Sequence, residues 1–332
     1  MPSPRFSRTW NRMKSSRASL PAPTARPCVH RQGFSKMNPQ RTLRHTVSVE
    51  GPTLWSKGYT RVWMYPGEPD EGITIRRVDL KPAVSYPLSI HAAVVENHKV
   101  KLRPTTYSAG GEEEDTLDFA EHLLSALWGM GIDNVGVDVE GGELPFFDGS
   151  ALAYVEAVRR AGVRLQEHPR NEAHINESFL LSTENSALFF RSANRLSVTY
   201  VFYNLHRAML QTFSFTDVVK SYELWIAPAR TFAVGAFPEF SYPFEVRSNR
   251  DLHYPYPSRF SREMLRHKVL DLIGDLALLG RRLNAKIIAV GTGHRETHQA
   301  VKLLTKEIAR GELEHRLDTL QTPPPVPFSD GR

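Results

Sequence analysis

Residues 266–275 read Arg-His-Lys-Val-Leu-Asp-Leu-Ile-Gly-Asp and lie at the centre of a predicted helix over 262–279. The apolar residues of this helix cover most of its circumference, a pattern typical of a helix that is buried on nearly all sides. His267, Asp271 and Asp275 stand at i, i+4 and i+8 and therefore form one polar stripe. A buried carboxylate without a partner costs several kcal/mol, so two of them call for a cation or strong hydrogen-bond donors.

Two interpretations of this stripe are open when the helix is considered alone. In the first, a His and an Asp one helical turn apart bind the same metal ion, for which their spacing is suitable. In the second, the stripe is the solvated face of an amphipathic helix and binds nothing. The segment itself does not favour either interpretation.

Two further segments carry residues of the same chemistry. A predicted helix over 117–130 carries Glu121 and His122 in its first turns and is apolar directly afterwards. His122 is a candidate third ligand and Glu121 a candidate base for a metal-activated water, although a lone buried His is more often a hydrogen-bonded core residue. The other segment, Gly291-Thr292-Gly293-His294, follows a predicted strand. Its His either projects into a cleft above the sheet or begins an ordinary helix.

Taken together, these segments predict a metal site with three ligands, His122, His267 and Asp271, and an open position for water. That arrangement is expected of a catalytic rather than a structural zinc ion. Asp275 and His294 would then form a carboxylate–imidazole pair that keeps the imidazole protonated.

Composition limits the kinds of ligand and partner. The formal net charge is +6, but eight of the 42 Lys and Arg residues lie within 1–40, a segment without Asp or Glu. The remainder holds 34 basic and 36 acidic residues, which gives no compositional case for nucleic-acid binding. The only cysteine, Cys28, lies in the basic segment, so any metal elsewhere is held by His, Asp or Glu. Two His and one carboxylate suit Zn²⁺ and Fe²⁺ alike.

The same composition predicts a cytoplasmic location. We expect no transmembrane segment, because no apolar run approaches the roughly 20 residues needed to cross a bilayer. Residues 1–37 are predicted to be a disordered basic extension. An Arg- and Ser-rich, acid-free N-terminus also suits an organellar transit peptide, and that alternative stays open. The oligomeric state is not predicted.

The order of the predicted elements indicates an α+β fold. In the first half, short strands precede a helix, a strand and a second helix, and the second half repeats this order. The elements that end the two halves are predicted at 117–130, 134–139 and 150–161, and at 262–279, 286–290 and 294–309. We therefore predict two similar domains, each a β-sheet backed by helices, with the active site between them. Their expected bounds are 38–165 and 172–318, followed by a disordered tail over 319–332.

The segments that carry these residues follow one another in a recognisable order. They are Gln40-Arg41-Thr42-Leu43, Ile75-Arg76-Arg77-Val78-Asp79-Leu80, Glu121-His122-Leu123, Gly131-Ile132-Asp133-Asn134, Glu143-Leu144-Pro145, Asp148-Gly149-Ser150-Ala151, Ala229-Arg230-Thr231-Phe232, Arg266-His267-Lys268 through Gly274-Asp275, and Gly293-His294. In this order they resemble the zinc-dependent UDP-3-O-acyl-N-acetylglucosamine deacetylase family, which performs the committed step of lipid A synthesis. The resemblance covers residues 38 to 310.

The resemblance implies the fold of two α+β domains and a set of metal-site roles. His122, His267 and Asp271 would bind zinc, the same three residues that the spacing suggests. Glu121 would be the general base that takes a proton from the water attacking the acetamide carbonyl. The substrate would be a nucleotide sugar.

The resemblance also implies roles around the metal. Thr231 and protonated His294 would stabilise the oxyanion together with zinc. Asp275 would hold His294 as an imidazolium, and Lys268 and Phe232 would contact the anionic substrate. Either His294 or the protonated base would return a proton to the departing amine, and the sequence leaves both open.

Several features depart from the family pattern. Trp55 stands where the family usually carries a His, and Phe119 where a Thr usually precedes the base by two positions. Gly291 occupies the place of a basic residue that helps to bind the diphosphate, and the Arg-Thr-Phe motif continues as Ala-Val instead of Gly-Phe. The stretch 233–266 is shorter than expected and lacks the Gly-Gly-Ser-rich segment that builds the passage for the acyl chain. Residues that carry chemistry are retained, while some that carry specificity are not.

The predicted function is therefore hydrolytic removal of the N-acetyl group from UDP-3-O-acyl-N-acetylglucosamine. One alternative keeps this metal chemistry but assigns a different N-acetylated nucleotide sugar, without an acyl chain. An alternative of another class is a non-enzymatic nucleic-acid-binding protein that uses the basic N-terminus. It leaves the buried polar stripe unexplained.

Overall fold

Strands outnumber helices in the part of the chain that the structure describes. The structure is a computed structural model that describes residues 38–96, 98–104, 115–175, 177–204, 209–234, 245–249 and 252–321. The helices are α1 (Ala120–Gly129), α2 (Leu152–Ala161), α3 (Val219–Trp225), α4 (Glu263–Ala277) and α5 (His294–Gln321). The strands are β1 (Pro39–Leu43), β2 (Val47–Pro52), β3 (Tyr59–Pro66), β4 (Ile73–Arg77), β5 (Val84–Tyr86), β6 (Ala93–Glu96), β7 (Lys99–Leu102), β8 (Leu117–Asp118), β9 (Val135–Val139), β10 (Val163–Pro169), β11 (Glu172–His174), β12 (Phe179–Ser182), β13 (Ala187–Ser192), β14 (Ser197–Asn204), β15 (Met209–Thr216), β16 (Ala233–Val234), β17 (Val246–Asn249), β18 (Leu252–Pro255) and β19 (Arg282–Val290).

Two five-strand arrays, one in each half of the chain, share a single topology. Their strand orders are β2-β3-β9-β4-β5 and β12-β13-β19-β14-β15, and β11 adds to the second alongside β19. In both arrays the central strand, β9 or β19, is antiparallel to one neighbour and parallel to the other. In both, a buried helix precedes the central strand and another helix follows it. This duplication confirms the predicted α+β fold with two similar halves.

The structure does not divide the described residues at the predicted domain bounds. The described residues belong to one compact unit that begins at Asn38, and β1 pairs with β10 within it. The domain bounds 38–165 and 172–318 therefore stay predictions, and the predicted extension over 1–37 lies outside the described residues.

Helix α5 is longer than predicted. It continues beyond residue 309 and reaches Gln321. The disordered tail over 319–332 stays a prediction. The rest of that tail, from residue 322, lies outside the described part of the chain. None of the helices among the described residues is both long enough and apolar enough to cross a membrane.

Helix α1 is buried along its whole length, as its apolar sequence indicates. It begins later than predicted, because Phe119 adopts a left-handed conformation with φ of 62° directly before it. The two residues before Phe119 form β8, which pairs with β7. The predicted helix over 117–130 is therefore wrong at its start, and the reason is this pairing with a distant strand.

Helices α1 and α4 pack directly against each other, and their backbones approach closely at Gly274. A Cβ atom at position 274 would lie 2.3 Å from the backbone oxygen of Glu121, well inside van der Waals contact. Ser125 on α1 also donates from Oγ to the carbonyl oxygen of Leu270 on α4, at 2.8 Å. This contact brings the first turn of α1 to the polar stripe of α4.

We expect Gly274→Ala to lower the free energy of unfolding by about 3 kcal/mol, because a backbone carbonyl cannot move aside without separating the two helices. Urea denaturation measures this loss. Gly58→Ala is the matched control, since a Cβ atom there would meet nothing closer than 3.8 Å. An equal effect of the two substitutions would contradict the role assigned to Gly274.

Candidate active site

His122 from α1 and His267 and Asp271 from α4 lie together where the two helices meet. One ligand atom from each lies within 4.8 Å of the other two, and all three side chains are buried. Nε2 of His267 is 3.2 Å from Oδ1 of Asp271, and the rings of His122 and His267 stand nearly perpendicular with centroids 5.2 Å apart. Two imidazoles and one carboxylate are a donor set for a single divalent ion such as Zn²⁺ or Fe²⁺. The residues present therefore fit a metal.

The backbone orients one of these imidazoles. Nδ1 of His267 lies 2.9 Å from the carbonyl oxygen of Ala229. A carbonyl can only accept, so Nδ1 carries the proton and Nε2 of the neutral ring presents its lone pair towards Asp271. This outer contact is the kind that orients a metal-binding histidine.

Burial and charge hold the three groups in the protonation states that metal binding requires. Burial lowers the pKa of His122 to about 3, with a contribution from His267, and burial also lowers the pKa of His267. Burial alone would raise the pKa of Asp271, but His267 and Lys268 outweigh it and lower that pKa. Neutral imidazoles and an ionised carboxylate are the ligand forms.

Lys268 and Phe232 lie beside this set. Nζ of Lys268 donates to Oδ2 of Asp271 at 2.9 Å, so the ammonium faces the carboxylate from the other side. Burial disfavours the charge of Lys268, but Asp271 outweighs it and raises the pKa of the ammonium. The ring of Phe232 is 6.4 Å from the ring of His267 and 6.0 Å from Nζ of Lys268.

Glu121 stands next to His122 at the start of α1 and is only 2% exposed. Its Oε2 accepts a hydrogen bond of 3.1 Å from the backbone N–H of Val100, which orients the carboxylate. Burial raises the pKa of Glu121 to about 7, against an opposing contribution from His294. Glu121 therefore lies within electrostatic range of the groups on α4 and α5.

His294 and Asp275 form the predicted carboxylate–imidazole pair in geometry. Nδ1 of His294 lies 2.9 Å from each oxygen of Asp275, and Nε2 lies 3.9 Å from Oδ2 of Asp271. Burial disfavours the imidazolium, but Asp275 and Asp271 outweigh it and raise the pKa of His294 to about 9.

The structure adds His298, which the sequence reasoning missed: its Nε2 is 3.2 Å from Oδ1 of Asp275. Its signal in the sequence is the i, i+4 spacing from His294.

Thr231 is held in place by its own backbone N–H and by the contacts of its neighbours in the sequence. Its N–H donates to the carbonyl oxygen of Gly149 at 2.9 Å. Arg230 is clamped by Glu263, a buried residue of α4 that the sequence reasoning also missed, with Nε 2.9 Å from Oε1. Ala229 and Phe232 both contact His267, so the segment that contains Thr231 runs past the candidate metal ligands.

Two of the departures from the family pattern, Trp55 and Phe119, share Lys99 as a neighbour. Nζ of Lys99 lies 5.2 Å from the ring centroid of Trp55 and 5.5 Å from that of Phe119. Phe119 packs edge-on against Phe146 at 5.4 Å, and Phe146 in turn lies 5.9 Å from the ring of His122. A row of aromatic rings therefore extends from Phe119 through Phe146 to His122, and Lys99 lies between Phe119 and Trp55.

The third departure has a backbone cause. Gly291 adopts φ of 59°, a left-handed conformation that favours glycine. A Cβ atom at this position would lie 2.9 Å from the carbonyl oxygen of Asn185. This turn therefore excludes the basic side chain that the family usually carries there.

The duplicated α+β fold carries a buried His-His-Asp set whose donors fit one divalent ion. The family model for LpxC, UDP-3-O-acyl N-acetylglycosamine deacetylase, matches residues 40–239 and 246–306, and the chain belongs to this family.

Relatives with the name UDP-3-O-acyl-N-acetylglucosamine deacetylase match most of the chain. The protein from Geobacter sp. (strain M21) is 31% identical over 281 residues, which cover 80% of this chain and 89% of the relative. The protein from Teredinibacter turnerae is 31% identical over 300 residues, with 82% and 92% covered. The protein from Myxococcus xanthus is 30% identical over 275 residues, with 79% and 85% covered.

We expect the purified chain to bind one Zn²⁺ ion. We expect His267→Ala to weaken this binding by more than roughly 10–100-fold, the loss of affinity that follows when a group hydrogen-bonded to a metal ligand is removed. Competition with a chromophoric chelator measures the affinity. His174→Ala is the matched control, because His174 is an exposed histidine on β11. Equal affinity in His267→Ala and the wild type would rule out His267 as a ligand.

Proposed function

We propose that this chain is a metal-dependent hydrolase that removes the N-acetyl group from UDP-3-O-acyl-N-acetylglucosamine, a step of lipid A biosynthesis. Membership of the deacetylase family supports the reaction, and the names of the relatives support the substrate. The observation that carries the proposal is the buried set of His122, His267 and Asp271 next to the carboxylate of Glu121.

Zn²⁺ is the proposed ion at these three residues, and Fe²⁺ is the alternative that the same donors accept. When bound, the ion supplies positive charge that acidifies a water molecule and polarises the acetamide carbonyl. The i, i+4 pair on α4 and the histidine on α1 would hold it, so that two helices share one site.

Glu121 is the proposed general base. Its carboxylate takes a proton from the water that attacks the acetamide carbon. The hydrogen bond from Val100 to one carboxylate oxygen supports this role, because it holds the group in one orientation beside His122. Burial excludes bulk water that would compete for the proton.

His294 and Thr231 are the proposed donors to the oxyanion that forms on the carbonyl oxygen. Asp275 accepts from Nδ1 of His294, which directs Nε2 towards Asp271 and supports the role of a donor at the reacting carbonyl. The C–N bond then breaks, acetate leaves, and the amine gains a proton from His294 or from the protonated Glu121. Both donors stay open.

Lys268 and Phe232 are the proposed contacts to the substrate. Lys268 lies on the ligand helix α4, and the ring of Phe232 lies 6.0 Å from its Nζ. The ammonium of Lys268 offers a positive charge to an anionic nucleotide sugar. The described residues of 233–266 include a three-stranded sheet of β16, β18 and β17, and the stretch ends in the first turn of α4. The shortness of this stretch favours the alternative substrate without an acyl chain.

The predicted cytoplasmic location and the predicted absence of nucleic-acid binding stay predictions.

We expect the wild type to release acetate from the acylated substrate, a chelator to abolish release, and added Zn²⁺ to restore it. Glu121→Ala is expected to lower kcat by roughly 10²–10⁴-fold while the bound metal stays, because only the proton acceptor is lost. Acetate is quantified after a fixed time, with His174→Ala as the control. Undiminished turnover in the presence of chelator would refute the metal-dependent reaction.

The acyl chain separates the main proposal from its alternative. We expect the acylated sugar to react at least about tenfold faster than UDP-N-acetylglucosamine at equal subsaturating concentration, because each buried CH₂ contributes about 0.8 kcal/mol. Initial rates on the two substrates measure the ratio. Similar rates would favour the alternative substrate.

A further inference from the structure

Asp275 forms hydrogen bonds with the imidazoles of two histidines, and the proposed reaction uses only one of them. Its Oδ1 lies 2.9 Å from Nδ1 of His294 and 3.2 Å from Nε2 of His298. Its Oδ2 lies a further 2.9 Å from the same Nδ1 of His294. Asp275 is 1% exposed, His294 8% and His298 5%, so water does not replace either donor. A carboxylate buried to this extent depends on the donors that surround it.

The start of α5 explains why both rings face Asp275. His294 and His298 are one helical turn apart and so project from the same side of the helix. The first turn is pinned by two hydrogen bonds, from the N–H of Gly293 to Glu296 at 2.8 Å and from Oγ1 of Thr297 to the carbonyl oxygen of Gly293 at 3.0 Å. The two rings lie 6.5 Å apart at 79°, so they approach the carboxylate from different directions.

We propose that His298 is a positioning residue that fixes the carboxylate plane of Asp275 and thereby the direction in which Nε2 of His294 points. This inference rests on the deacetylase function proposed above. A carboxylate held only by Nδ1 of His294 is free to turn about its Cβ–Cγ bond, since both oxygens are equally distant from that nitrogen. The second donor selects one orientation. Nε2 of His298 carries the proton for this bond, because the carboxylate is the acceptor.

The substitutions His298→Leu and His298→Gln separate positioning from packing. Leu removes the donor, whereas the side-chain amide of Gln places an N–H near the position of Nε2. We expect His298→Leu to lower kcat of the zinc-loaded enzyme by roughly 10–100-fold, less than the roughly 10²–10³-fold that removing an oxyanion donor outright costs, with KM and bound zinc unchanged. We expect His298→Gln to retain most of the activity.

Val301→Ala is the matched control, because Val301 is fully buried on the same helix one turn further along. We expect it to lower the melting temperature and to leave kcat unchanged. If Val301→Ala lowers kcat as much as His298→Leu, or if His298→Gln is as impaired as His298→Leu, then His298 acts by packing and the proposal is overturned.

A second measurement does not depend on turnover. In zinc-loaded protein with ¹⁵N-labelled histidine, the proton on Nδ1 of His294 gives an NMR signal, assigned by its loss in His294→Gln. We expect this signal to shift and to exchange faster with water in His298→Leu, but not in His298→Gln. An unchanged signal in His298→Leu overturns the positioning role. A wild type without deacetylase activity refutes the proposed function instead, and the NMR comparison still decides the role of His298.

Discussion

The close packing of α1 against α4 is the constraint on which the candidate site depends. Only glycine at position 274 lets the backbone of Glu121 approach the other helix, since a Cβ atom there would lie 2.3 Å from its oxygen. Through this contact one helix contributes His122 and the other contributes His267 and Asp271 to a single cluster. Metal ligands that come from two helices need this fixed separation of the helices, because metal–ligand distances tolerate shifts of only tenths of an ångström.

The same contact places carboxylates in an apolar interior, where each needs a compensating partner. Asp271 faces His267 and Lys268, and Asp275 faces two imidazoles of α5. At the N-terminus of α4, Glu263 binds Arg230 in the same manner. These pairs join α4 to its neighbours in several directions, so the groups proposed for chemistry also hold the helix in register.

Much of this arrangement can be predicted from the sequence, because it follows from helical periodicity and from the repeated order of the elements. The i, i+4 spacing on α4 predicted which side chains share a face, and the repeated element order predicted two similar halves. The start of α1 was mispredicted, since Phe119 takes a left-handed conformation and the preceding residues pair with β7. The end of α5 was mispredicted as well, because the helix continues past residue 309 to Gln321. Strand pairing is a long-range interaction, and local pattern does not report it.

The sequence by itself determined the kinds of donor available, nitrogen and oxygen, because Cys28 is its only cysteine. It also determined the helical faces that carry them, since helical periodicity is a local property. Only the tertiary structure decided that Ala229 and Val100 orient His267 and Glu121, and that His298 joins Asp275. Those contacts form between elements far apart in the chain, and backbone groups that every residue possesses leave no mark in a sequence.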